Sequence, residues 1–307
     1  MVRGRRARGV WRGVSAAAAP VLAIDLGGTK TLLGLVGGGV CGPAMRIATP
    51  TALGPHEWLD AVAEAAGAWR GAYASAAIAV TGLVADGHWW ALNQAVLPVP
   101  PGFPLVDELA RRLGVPVCAL NDAQAAAWGE YRFGAGQGSD LVFVTISTGI
   151  GAGIVLGGRL LTGHRGLAGH LGQFRAEAVD APWLEQLAAG GALARDAVAA
   201  GHAGDGQKLF AAAADGAAWA EHLLARAARR IAAALASVQA LLDPDCIVVG
   251  GGVGLAPGFL ARLRGELAGL PDPLRPDLRE AALGARAGLL GVADFGEHPQ
   301  ANTGETR

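Results

Sequence analysis

Apolar and polar positions along this chain form repeated short blocks. VLAIDLGGTKTLLGLVGGG (Val21 to Gly39) holds two apolar runs separated by a polar, glycine-rich step, which predicts strand, tight turn, strand, turn. Met45 to Thr49 reads as a further strand, and Pro55 to Arg70 has helical spacing. Ala76 to Gly82 (AAIAVTG) is a strand running into a turn, and His88 to Asn93 a short strand after a DG turn. The proline-rich LPVPPGFP loop leads to a helix over Leu105 to Leu113, then the apolar run VPVCAL. The second half repeats the theme. Ser139 to Leu161 is again strand, glycine-rich turn, strand, turn. Pro182 to Ala199 is helical, Ala217 to Leu242 is a long Ala/Leu/Arg helix, and DPDCIVVGGGVG (Asp243 to Gly254) is a strand with a glycine turn ahead of a helix at Pro257.

The order of elements occurs twice, which predicts an α/β protein of two similar lobes around a cleft. IDLGGT (Ile24 to Thr29) aligns with ISTGIG (Ile146 to Gly151) at the crossing between paired apolar runs. We expect an extension over 1–20, a smaller lobe over 21–121, a larger one over 122–293 whose last helix returns to the first lobe, and a disordered tail over 294–307.

Composition narrows the field. The 307 residues are 52% hydrophobic and 17% charged, enough for a sizeable core, and aromatics are only 6%. The net charge is −1, and the body of the chain shows no basic face, so nucleic acid is not an expected partner. Arg3, Arg5, Arg6, Arg8 and Arg12 crowd the start without an apolar signal core after them, and we read that segment as an extension and not a targeting peptide. No apolar run is long enough to span a membrane. Cys41, Cys118 and Cys246 are far apart, with the last two inside strand-like runs, so they read as buried thiols in a cytoplasmic protein.

Candidate chemistry gathers at the glycine turns. DLGGTK (Asp25 to Lys30) lacks P-loop spacing, and no helix is expected after it. Gly27 and Gly28 let backbone N–H groups approach an anion, Thr29 adds a hydroxyl, and Asp25 could hold a metal-bound water beside a phosphate. Ser147, Thr148, Gly149 and Gly151 offer a matching cradle, and Gly251 and Gly252 could carry a nucleotide base or ribose. Each turn taken alone is equally readable as an ordinary hairpin. Asn121 and Asp122, between a strand and an Ala-rich helix, read either as a helix cap or as a carboxylate at the carboxyl end of a strand, where open α/β sheets bind ligands.

DLGGTK, LNDAQAAAWGEY, ISTGIGAGIVLGGRLLTGHRGLAGHLG and VVGGGVG, in this order, resemble a ROK-family sugar kinase over roughly residues 21 to 293. ALN (Ala91 to Asn93), NDAQAAAW and GLAGHLG resemble most the branch that phosphorylates N-acetylmannosamine. The resemblance implies an actin-like ATPase fold (ribonuclease H-like), ATP and Mg²⁺, and phosphoryl transfer to a sugar 6-hydroxyl in amino-sugar breakdown. Asp122 then matches the general base. Gly82, Asn93, Asn121, His170 and Glu185 match sugar contacts, and Asp25, Gly27, Gly28, Thr29, Lys30, Ser147, Thr148, Gly149, Gly151, Gly251 and Gly252 match the ATP site. The partners implied are the sugar, ATP and a second copy of the chain. Another hexose, glucose or N-acetylglucosamine, is the alternative substrate, and a non-catalytic sugar-binding regulator the alternative role. The twenty residues ahead of Val21 are too few for a helix-turn-helix domain.

The chain departs from the family pattern twice. His170 stands where most members have Glu, as in the mannosamine kinases. The cysteine segment that holds structural zinc is replaced by FRAEAVDAPWLEQLAAG, with Gln173 at the remaining ligand position. No zinc is therefore expected, with Phe174, Pro182 and Trp183 packing in its place. Trp89 and Trp90 read as core, and Arg226, Arg229 and Arg230 as a solvated helix face.

Overall fold

A computed structural model describes residues 19–92, 97–175 and 178–298. Strand β1 (Val21–Leu26) pairs antiparallel with β2 (Lys30–Gly37), whose far edge takes β3 (Val40–Cys41) and β4 (Met45–Ala48). After helix α1 (Pro55–Ala66), β5 (Ser75–Val80) joins β1 in parallel. The hairpin β6 (Leu83–Ala85) and β7 (His88–Trp90) and helix α2 (Leu105–Leu113) precede β8 (Val117–Asn121), which closes the order β3-β2-β1-β5-β8. Helix α3 (Asp122–Phe133) then leads to the second sheet.

That sheet has the order β11-β10-β9-β12-β13, the same connectivity again. It is built from β9 (Leu141–Ile146), β10 (Ile150–Leu156), β11 (Arg159–Leu161), β12 (Cys246–Gly250) and β13 (Leu278–Glu280). Helices α4 (Leu184–Ala188), α5 (Gly190–Ala199), α6 (Gly206–Ala214) and α7 (Ala218–Leu242) lie between β11 and β12. Helices α8 (Gly251–Gly254) and α9 (Phe259–Leu267) lie between β12 and β13, and α10 (Ala287–Glu297) comes last.

Strand periodicity sorts the core into layers, because successive side chains point to opposite faces. Leu22, Ile24 and Leu26 of β1 pack outward with Trp58, Leu59, Leu105 and Leu109 of α1 and α2. Val21 and Ala23 face a central layer shared with α3 and α10. In β9, Leu141 and Phe143 face that same layer, while Val142, Val144 and Ile146 pack outward with α7 and its neighbours. The two central helices exchange sheets: α3 packs on β9 and β10, and α10 on β1 and β5. A helix between two sheets is buried all round, which is why α3 reads AQAAAW and α10 AGLLGVA, with no polar stripe. Their crossing is close. A β-carbon on Gly291 would lie 1.8 Å from the Ala125 carbonyl oxygen, and one on Gly129 would lie 2.4 Å from that of Ala287.

The structure corrects several expectations. Helix α10 runs to Glu297, and the buried Asp294 accepts from Trp128 Nε1 at 2.8 Å and pairs with Arg132, so residues 294 to 297 belong to the folded body and not to the tail expected there. The helix expected over 182–199 breaks at Ala189, whose extended backbone separates α4 from α5. The strand expected to Asn93 ends at Trp90, and Asn93 lies outside the described residues. Helix α6 and strand β13 went unread, being short and weakly patterned. The internal alignment shifts by two: the last paired residues of the hairpins are Leu26 and Ile146, so Asp25 corresponds to Thr145 and not to Ser147.

Candidate active site

The carboxyl ends of β1, β5, β8 and β9 open into a cleft of about 710 Å³, lined from both lobes. Gly27 and Gly28 form one wall; Ser147, Thr148, Gly149 and Gly151 form the facing one. The first turn is closed by Gly27 N–H donating to the Lys30 carbonyl at 3.1 Å, the second by Ser147 N–H donating to Gly149 at 2.9 Å. Thr29 and Lys30 are exposed at the rim.

Asp122 sits at the floor, as the first residue of α3. Asn121 is the cap: its Oδ1 accepts from Ala123 N–H at 2.9 Å and Gln124 N–H at 3.1 Å. Its Nδ2 donates to the Gly82 carbonyl and to Asp122 Oδ1, both at 2.9 Å. All four hydrogen bonds of this buried amide are made within the protein, so it serves to cap α3 and orient Asp122. The sugar contact expected of Asn121 has no free donor or acceptor on it here. Gly82 reaches this contact with φ +98, and a β-carbon there would lie 2.4 Å from the Trp90 carbonyl oxygen.

The electrostatics centre on two carboxylates. Burial pushes Asp122 up to about 7, and the charge of Asp25 pushes the same way. Ala123 N–H and the Asn121 amide oppose both by donating to the ionised form. Burial also raises Asp25 to about 6, offset in part by Lys30. Asp25 lies on the central face of β1, where a β-carbon on Gly288, in the first turn of α10, would lie 3.4 Å from its carboxylate. Two like-charged groups held in a desolvated cleft fit a divalent cation, which commonly binds one or two carboxylates together with phosphate oxygens. Among the described residues no group of three or more His, Cys, Asp or Glu is placed to hold a metal ion.

The far wall comes from the segment between β11 and α5. His170 faces the cleft, with Nδ1 3.1 Å from the Leu167 carbonyl and Nε2 3.4 Å from that of Gly82. Burial holds its pKa below the ordinary imidazole value, so the ring is neutral near pH 7. Glu185 accepts from Ile150 N–H at 3.0 Å and lies against Gly149, pinning the second hairpin. Gln173 and Trp183 complete the wall. The apolar packing expected in place of zinc is not what holds the loop: Phe174 and Pro182 are exposed. Arg175 instead stacks over Trp183 at 5.1 Å and donates to the carbonyls of Val179 and Ala181, and Leu184 N–H donates to the Phe174 carbonyl.

Not every expected site residue converges here. Gly251, φ +84, is wedged against Ile146, and a β-carbon there would lie 2.3 Å from its carbonyl oxygen; Gly252 is exposed. Both lie in the first turn after β12 and do not line the cavity, although Ile146, on which Gly251 packs, directly precedes Ser147 of the lining. Trp89 is fully buried core. Arg226 and Arg229 pair with Asp196 and Glu266, and Arg230 donates to the Leu187 carbonyl. Thr81, Thr145 and Gln186 line the cleft without having been singled out. A polar residue one or two places from a strand end was the available signal for the first two. No described helix is long and apolar enough to cross a membrane.

The bifunctional enzyme NanE/NanK of Brucella melitensis is 52% identical over 277 residues, covering 90% of this chain and 54% of the relative, so the chain spans about half that protein's length. The N-acetylmannosamine kinase of Shigella flexneri is 39% identical, covering 89% of this chain and 97% of the relative. The ROK family glucokinase of Streptomyces griseus, solved with glucose and AMPPNP, superposes with a TM-score of 0.77 at 32% identity, covering 90% of this chain and 98% of that one. A model of the ROK family matches residues 21–297, and the chain belongs to that family of actin-like sugar kinases.

Proposed function

We propose that this chain transfers the γ-phosphoryl group of ATP to the 6-hydroxyl of N-acetylmannosamine. The observation that carries the reading is Asp122, a carboxylate oriented by Asn121 on the floor of a cleft whose two walls are glycine hairpins. Phosphoryl transfer asks mainly for positioning and charge stabilisation, which such a site supplies. The phosphate tail lies between the hairpins, against Gly28 on one side and the Ser147 and Thr148 hydroxyls on the other. Asp122 accepts the proton of the attacking hydroxyl. A group that titrates near 7 is ionised in a useful fraction of molecules and still basic enough to take a proton. Asp25 would hold Mg²⁺, which when bound neutralises charge on the phosphate oxygens, and Asp122 stays free to take the proton. The neutral ring of His170 meets the sugar's ring hydroxyls, and Glu185 keeps the second hairpin in place. The names of the Brucella and Shigella relatives support the sugar, as does His170 at a position where most of the family carries Glu.

The test is coupled ADP release with ATP and Mg²⁺, comparing N-acetylmannosamine, N-acetylglucosamine and glucose. N-acetylmannosamine is expected to give the highest kcat/KM. Preference for another hexose would overturn the sugar assignment and leave the kinase, and turnover of none would move a sugar-binding role to the front.

A further inference from the structure

Gln124 lies two residues beyond Asp122 in the first turn of α3 and is 1% exposed. An amide buried that deeply has to find partners for its N–H groups inside the protein. Its Nε2 donates to the carbonyl oxygens of Ala168 at 3.0 Å and Gly166 at 3.3 Å. The carbonyl between them, on Leu167, is met by Nδ1 of His170 at 3.1 Å. Three consecutive carbonyls are thus divided between the helix that carries Asp122 and the ring that faces the cleft. The turn they form packs closely on its neighbours. A β-carbon on Gly166 would lie 2.2 Å from the Val84 carbonyl oxygen, and one on Gly169 would lie 2.5 Å from that of Ala152.

We propose that Gln124 is a positioning residue that sets the place of His170 relative to Asp122, and through it the choice of sugar. This rests on the kinase reading above. Asp122 and Gln124 share one rigid helical turn, so the two N–H bonds of the Gln124 amide tie the His170 turn to the helix that bears the base. The other ring nitrogen lies 3.4 Å from the Gly82 carbonyl, which accepts from Asn121 Nδ2, so the ring stands beside the group that orients Asp122. Removing the amide leaves one buried and one half-buried carbonyl unmet, and the turn relaxes away from α3 to satisfy them.

The test uses Gln124→Met, which keeps the volume and removes both donors. The KM for N-acetylmannosamine is expected to rise about tenfold with the KM for ATP unchanged, and the preference over N-acetylglucosamine and glucose to fall by a similar factor. An unchanged sugar KM and preference, or an equal rise in both KM values, would overturn the proposal. Should Gln124→Met not fold, Gln124→Glu, which keeps the shape and replaces a donor by an acceptor, is read by the same criteria. A second readout needs no activity: NMR titration of the His170 ring in the full chain. The ring is expected to titrate below the ordinary imidazole range in the wild type and to move back toward it in the variant; no movement counts against the proposal. If the wild type phosphorylates none of the sugars, the function proposed above fails, and the His170 titration still decides whether Gln124 places that ring.

Discussion

The two glycine hairpins face each other across the cleft from equivalent strands, and they are not alike. Leu26 and Thr31 close a turn of four residues in the first; Ile146 and Ile150 close a turn of three in the second. One residue before the last pair, the first hairpin has Asp25 and the second Thr145. The first therefore places a carboxylate within electrostatic reach of Asp122, with Lys30 near it. The second brings only hydroxyls and N–H groups, and the carboxylate beside it, Glu185, is committed to Ile150 N–H. The asymmetry keeps Asp122 usable. One neighbouring carboxylate already helps to raise it to about 7. A second, at position 145, would push it further up and leave it protonated at neutral pH.

Removing the base is the most severe way to test this division of labour. Asp122→Asn is expected to lower kcat by about 10³-fold, within the usual range for loss of a general base, with the fold retained. Coupled ADP release measures it, and activity within tenfold of wild type would mean that neither hairpin serves a base at this position.

The next test concerns what holds the two hairpins face to face. The crossing of α3 and α10 joins the sheets through Gly129 and Gly291, and Gly291→Ala is expected to cost about 3 kcal/mol in urea unfolding, since the added carbon collides with the Ala125 carbonyl. A loss no larger than that of a surface substitution would show that the lobes can part there freely.

Glu185→Gln sharpens the account of the neutral hairpin. It weakens the contact with Ile150 N–H, and kcat/KM is expected to fall about tenfold with little change in stability. Equal losses of activity and stability would instead make Glu185 a general support of the lobe.

The mildest change sharpens the account of the charged hairpin. In the ligand-free protein Asp122 should ionise through about 7, and Asp25→Asn should move that step to lower pH by removing the charge that helps to raise it, as read by NMR titration of the carboxyl. The same raised values predict the sign of a stability effect. Asp25 and Asp122 are harder to ionise folded than unfolded, so stability present at acid pH declines as pH rises through about 6 to 7 in the absence of ligand. Asp122→Asn should be more stable than wild type at pH 8 and lose that advantage toward pH 4. A pH-independent difference between the two proteins would place the cause elsewhere.

Both hairpins were legible in the sequence, because two apolar runs about a glycine step admit few other conformations. Asp122 was legible as well, since an Asn-Asp pair between a strand and an Ala-rich helix has only two common uses. The structure divides those uses between the neighbours: Asn121 caps and Asp122 faces the cleft. The alignment of the repeats was misplaced by two because ISTGIG resembles IDLGGT in composition, while the true correspondence depends on which face each strand residue occupies. Phe174 and Pro182 were misjudged because apolar character does not say whether a surface exists to cover it. The electrostatic partner of Asp122 was hidden, as Asp25 lies almost a hundred residues earlier in the chain.

By itself the sequence determined the local elements, the doubled order of strands and the residues able to do chemistry, because periodicity, glycine and helix-cap preferences act over a few positions. Only the tertiary structure decided which of those residues meet. The exchange of α3 and α10 between the sheets sets one lobe's Asp25 beside Asp122 and lets Gln124 grip the turn that carries His170. Burial and neighbouring charge, which reset the proton affinities there, come into being only when the two lobes pack.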